Sequence, residues 1–135
     1  MKWVIRAYIR RKWQARWSSP GMTKNKKYKE IRQSIEHWPS GYQRNRRAEV
    51  ILSRLRIGHT RLTHGFLLEG GIAPVCDQCN SSLTVDHILV HCQKFTVARQ
   101  RHGMANRNIK ELLGQNVGIY DIIGFLQDIG LCHLI

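Results

Sequence analysis

The chain is 135 residues long, the size of one domain, and carries 22 Lys and Arg against 9 Asp and Glu, for a formal net charge of +13 and a pI near 10.3. Leu, Ile, Val and Phe account for 36 residues, enough apolar material for a packed core despite the charge. No apolar run approaches a membrane span, and five basic residues interrupt the opening MKWVIRAYIRRKW, so neither a transmembrane helix nor a secretory leader is expected, and a reducing compartment, cytoplasmic or nuclear, is the expected location.

The charge is unevenly placed. Up to Arg61 there are 17 basic and 3 acidic residues, whereas Leu62 to Ile135 holds 5 and 6. An excess of this size costs self-repulsion that solubility alone does not require, so a polyanionic partner, RNA or DNA, is expected. Trp3, Trp13, Trp17 and Trp38 all lie in the basic part, interleaved with cations. They offer faces on which bases can stack, although each reads first as a core aromatic.

Along the chain, Ile5, Ile9, Trp13 and Trp17 recur every fourth residue with Arg6, Arg10, Arg11 and Arg16 mostly off that stripe, which predicts a basic amphipathic helix ending near Ser18. Ser-Ser-Pro-Gly breaks it, and a polar connection follows. Tyr28, Ile31, Ile35 and Trp38 fit a second helix, stopped by Pro39-Ser40-Gly41. From Arg44 to Leu68 the pattern is stronger: Ala48, Ile51, Leu52, Leu55, Leu62 and Phe66 share a broad apolar face, and Gly58 is placed to divide the segment into two helices. Arg44, Arg46, Arg47, Arg54, Arg56 and Arg61 are expected on the solvent side as a ridge of cations that contacts nucleic acid. After Glu69-Gly70-Gly71 and Pro74, a tight turn is expected at Cys76 to Asn80. A helix from Val85 to about Arg101 is N-capped by Thr84, and two short helices follow, around Ile109 to Leu113 and Tyr120 to Ile129.

Within this frame Cys76, Cys79, His87 and Cys92 form a C-x2-C-x7-H-x4-C pattern. Zn2+ takes four tetrahedral thiolate and imidazole ligands, and two Cys two residues apart can aim both sulfurs at one ion. The fourth ligand is open between His91 and Cys92. His91 is one turn from His87, while Cys92 lies about 140° round from His87 on an ideal helix. Four such ligands leave no open position for a reacting water, so the zinc is expected to be structural. Cys132 stands alone and reads as a buried structural residue. The nine acidic residues are scattered singly, without the carboxylate cluster that two-metal chemistry needs, so His59 and His64 in GHTRLTHG read as capping or packing residues and the chain as non-catalytic.

The string RLRIGHTRLTHGFLLEGG, followed by APVCDQC and then LTVDHILVHC, resembles the carboxyl-terminal tail of jockey-type non-LTR retrotransposon polyproteins, which follows their reverse transcriptase and ribonuclease H domains. The resemblance is specific from Arg54 to Cys92 and looser in the flanking RKWQ, IRQSIEHWPS, ELLG and FLQDIGL stretches. It implies that Cys76, Cys79, His87 and Cys92 match the family's zinc positions, favouring Cys92 over His91. The spacing departs from the retroviral nucleocapsid knuckle, which has four residues rather than seven between its second Cys and His, so that knuckle's grip on bases is not carried over.

The expected fold is therefore mainly α, a helical module with a small zinc knuckle-plus-helix element. A basic helical region spans 1–61 with a flexible link at about 18–27, and a zinc-binding and C-terminal helical region spans 62–135, the two forming one compact unit of a larger polyprotein. The expected function is a zinc-stabilised module positioning template RNA or target DNA. The alternative is an interaction domain that docks on the ribonuclease H or polymerase domain, or on a second copy.

Overall fold

A computed structural model describes residues 2–21, 26–39, 45–115 and 118–135. The molecule is mainly helical, and its nearest approach to a sheet among the described residues is one antiparallel bridge, Val75 to Ser82. The helices are α1 (Lys2–Ser18), α2 (Lys26–Ile31), α3 (Arg46–Ile57), α4 (Arg61–His64), α5 (Phe66–Glu69), α6 (Thr96–Arg101), α7 (Ile109–Leu113) and α8 (Ile119–Asp128). Of the expected link at about 18–27, residues 22–25 lie outside the described residues, as does Arg44, and residues 26 and 27 already belong to α2. No described helix is long and apolar enough to cross a membrane.

The core is organised by α3. Asn45 caps it by accepting from the Arg47 N–H at 2.9 Å, and Gly58, at φ 80°, ends it with its N–H on the Arg54 and Leu55 carbonyls. That left-handed turn is what divides the long pattern into α3 and α4. Ala48, Ile51, Leu52 and Leu55 face inward and join Ile31 of α2, Leu112 and Leu113 of α7, Ile122, Phe125 and Leu126 of α8, and Val85, Ile88 and Leu89 in one continuous cluster. Phe95 packs edge-on against Phe125, ring centroids 6.2 Å apart. An Asn108–Glu111 capping box starts α7, both of its hydrogen bonds at 2.9 Å.

Three expectations need correction. The first helix forms, but no residue of α1 is buried. At 100° per residue Lys2, Arg6 and Arg16 fall inside the arc from Ile5 to Trp17, so the expected apolar stripe is itself interrupted by cations. Trp3 and Trp13 are accordingly 75% and 68% exposed and are not core residues. What docks α1 is its last turn. The Trp17 indole donates to the Arg32 carbonyl at 3.0 Å and meets Tyr28 edge-on, while the Gln14 amide exchanges hydrogen bonds with the backbone of Gln33 and Ile35.

Second, the helix expected through Trp38 stops at Ile31. Arg32 turns back to donate to the carbonyls of Ser34 and Glu36, and its guanidinium lies 5.3 Å from the Trp38 ring. Third, the single helix expected from Val85 to Arg101 is broken at Cys92, which adopts an extended ψ of 120°.

Candidate metal centre and basic surface

The cysteine turn is built by backbone hydrogen bonds that the sequence makes available. The Cys76 N–H donates to the Ser81 carbonyl at 2.8 Å, the Asn80 N–H returns to the Cys76 carbonyl at 2.8 Å, and Leu83 donates to Pro74 at 2.9 Å. Asn80 closes the turn at φ 49°, a left-handed conformation that Asn tolerates better than most residues. Thr84 then caps the next helical segment, its hydroxyl accepting from the His87 N–H at 3.1 Å.

From His87 to His91 this segment widens. The Cys92 N–H reaches the His87 carbonyl five residues back, at 2.7 Å, where an α-helix would use the carbonyl four back. The wider turn removes the angular objection to Cys92, because five residues now make roughly one turn and both side chains come to the same side. His91 points elsewhere, its Nε2 3.1 Å from an Asp86 carboxylate oxygen at the surface. Ile88 and Leu89 anchor the opposite side of the turn in the core.

Cys76, Cys79, His87 and Cys92 thus converge, with one ligand atom from each all within 4.8 Å of one another. The Cys92 sulfur lies 3.7 Å from that of Cys76 and 3.9 Å from that of Cys79. Disulfide sulfurs stand about 2.05 Å apart, whereas sulfurs at 2.3 Å from a tetrahedral Zn2+ stand about 3.8 Å apart. His87 Nε2 is buried with no hydrogen-bond partner among the described residues, while its Nδ1 lies 3.3 Å from the Ser81 hydroxyl. That arrangement suits a ligating imidazole, oriented by a partner on its other nitrogen. The group could hold a metal ion, and its donors fit one.

The electrostatics agree. The neighbouring His87 imidazole, assisted by backbone groups, holds the Cys76 thiol down to about 6. Burial, with neighbouring Cys76, pushes Cys92 up to about 11. Without a cation Cys76 ionises easily and Cys92 resists; a bound dication would favour the thiolate at both. The Gln93 N–H donates to the Cys79 sulfur at 3.4 Å.

Arg99 ties the centre to the core. Its buried guanidinium donates to the carbonyls of Cys92 at 2.5 Å and Ile88 at 3.3 Å, taking up carbonyls that the break in the helix frees. Sequence reading missed this residue, since an arginine in a helical pattern carries no mark of burial.

The six arginines expected to form one ridge do not. Arg46 is exposed and pairs with Glu49 at 2.9 Å, Arg47 is exposed, and Arg54, on the same side as Arg47, donates to the Ile135 carbonyl at 2.5 Å. Arg61 is exposed at the start of α4. Arg56 is the clear correction, being only 6% exposed. It donates to the carbonyls of Leu113 and Gly114, both at 2.8 Å, and its guanidinium stacks over the Trp38 ring at 4.1 Å. Burial lowers it to about 10, with Tyr28 opposing and Arg32 adding to the shift, so it stays a cation at neutral pH. The signal was its position four residues after Leu52, where it continues the buried stripe.

Cationic and aromatic groups meet instead on α1. Lys2, Arg6, Arg10, Arg11, Lys12 and Arg16 share it with exposed Trp3, Tyr8 and Trp13, and the helix contains no acidic residue. Glu36 reaches it from outside, 3.5 Å from Arg10. Compared with family models, curated proteins and solved structures, the chain finds no match.

Proposed function

We propose that the chain is a non-catalytic nucleic-acid-binding module stabilised by structural zinc, of the kind found at the carboxyl end of jockey-type retrotransposon polyproteins, where it would hold template RNA or target DNA near the polymerase. The observation that carries this reading is α1, with its six cations, no acid and the exposed rings of Trp3, Trp13 and Tyr8, the last with Lys12 over one face at 5.6 Å. Phosphates pair with such cations while unpaired bases stack on the rings, which favours single strands and gives little sequence preference. Exposed Arg46, Arg47, Arg54 and Arg61 add further cations, whereas buried Arg56 offers no surface for contact. Zinc at Cys76, Cys79, His87 and Cys92 would cross-link the turn to the helical segment behind it, and with four protein ligands it would leave no place for a substrate water.

A second reading has its own support. Leu67 and Leu68 of α5 and Ile72 just after it are exposed large apolar residues, as a surface docking on another protein domain would be. One experiment separates the two. Zinc-replete protein is titrated by fluorescence anisotropy against single-stranded RNA, duplex DNA and an RNA/DNA hybrid at several salt concentrations. Binding strongest to the single strand and weakening with salt supports the nucleic-acid module. Undetectable binding at low salt leaves the interaction domain.

A further inference from the structure

Between the end of α3, the α4–α5 corner and the last turn of the chain lies a cleft of about 640 Å3. Arg54, His59, Arg61, His64 and His133 line it, with Glu69 as the one carboxylate among its lining residues. The His59 and His64 rings are stacked, centroids 3.8 Å apart and planes 11° from parallel, and Phe66 continues the ladder 6.3 Å beyond His64. The Thr63 hydroxyl lies 2.8 Å from His64 Nδ1 and fixes that ring, and Thr60 and Thr63 cap each other's backbone to set the corner. Sequence reading took His59 and His64 for capping or packing residues, and they do stack; the fold also gathers them with His133, from 69 residues further along the chain, and with two guanidiniums.

We propose that this cleft binds the phosphomonoester of a nucleotide. Arg61 supplies an exposed planar fork that matches phosphoryl oxygens, and Arg54, held through one nitrogen by the Ile135 carbonyl, adds a second positive charge beside it. Three imidazole rings beside them offer further N–H donors, with a single carboxylate, Glu69, among the lining residues, and a phosphomonoester brings close to two negative charges and several acceptor oxygens to meet them. The exposed face of the His59–His64 stack is the flat surface on which the attached base lies. The phosphate belongs to a free mononucleotide or to a strand end, since both present the same group. The inference rests on the nucleic-acid reading only in choosing a nucleotide as the ligand.

Imidazole C–H resonances of the zinc-loaded protein report on the cleft directly, with AMP and adenosine as probes. AMP should shift the His59, His64 and His133 signals and bind at least about tenfold more tightly than adenosine, the size of one charge-assisted hydrogen bond. Arg61→Gln and, separately, His133→Gln should each remove that preference; both positions are exposed, so the fold survives the change. AMP and adenosine shifting the signals alike, or an AMP preference that survives both substitutions, overturns the proposal. An oligonucleotide with a 5′-phosphate binding tighter than AMP identifies the strand end as the source, and one binding no tighter identifies the mononucleotide. The same oligonucleotide with a 5′-hydroxyl, which meets the protein through α1, tests the nucleic-acid reading separately. AMP binding without it supports the cleft and refutes that reading, and its binding without AMP does the reverse.

Discussion

Arg56→Met replaces a buried cation by an apolar side chain of similar length, and the structure sets what is lost. Two charge-assisted hydrogen bonds, to Leu113 and Gly114 at the end of α7, disappear, each contributing about 1.5–3 kcal/mol. The guanidinium–Trp38 contact at 4.1 Å contributes roughly 0.5–2 kcal/mol more. Against this stands the desolvation of a buried guanidinium, several kcal/mol that Met does not incur. The net expectation is a loss of about 2–4 kcal/mol, which for a chain of this size lowers Tm by roughly 10 °C. Calorimetry or circular dichroism on zinc-saturated protein measures it, with Arg46→Gln as control. Arg46 is exposed and paired only across one helical turn, so its removal should change stability by no more than about 0.5 kcal/mol. If Arg56→Met melts with the wild type yet binds RNA about tenfold more weakly, Arg56 is a ligand contact and its structural assignment is wrong.

Further expectations concern the metal centre and α1. Cys92→Ser should weaken zinc affinity by more than about a hundredfold, while His91→Ala leaves it unchanged within error, measured by competition with a chromophoric chelator; the opposite pattern would make His91 the ligand. Because burial raises Cys92 to about 11, zinc must displace its proton at any lower pH. Affinity should therefore rise with pH by about tenfold per unit for each proton displaced. Between pH 7 and 9 that dependence should be plain in the same titration, and a flat profile would exclude Cys92 as a thiolate ligand. Trp13→Ala should cost about 1–3 kcal/mol of single-strand affinity, the range for one base–aromatic stack, and leave Tm unmoved because the ring is exposed. A lowered Tm with undiminished affinity would return Trp13 to the core.

What was legible in the sequence was whatever local chemistry decides. The inward face of α3, its end at Gly58, the Cys76–Asn80 turn and helix α7 all follow from periodicity and from residues suited to caps and turns. What escaped depended on partners distant in the chain. Arg56 reads as a surface cation until the carbonyls of Leu113 and Gly114 are brought beside it. Trp3 and Trp13 look like core residues until α1 is seen to dock only through Gln14 and Trp17 near its end. The choice between His91 and Cys92 turned on one extra residue in a helical turn, which an ideal 3.6-residue period cannot express. The cleft is the extreme case, because His133 has no local pattern linking it to His59 and Arg61.

The most direct test of nucleic-acid binding through α1 is the slope of log affinity against log salt for single-stranded RNA, taken with wild type and with Arg6, Arg10 and Arg11 together changed to Gln. These residues are exposed, so the variant folds as the wild type does. Each phosphate contact contributes a slope of about −0.7 on a single strand, so removing three should flatten the wild-type slope by roughly 2. An unchanged slope, in a variant with wild-type zinc content and Tm, would show that α1 does not contact the phosphates.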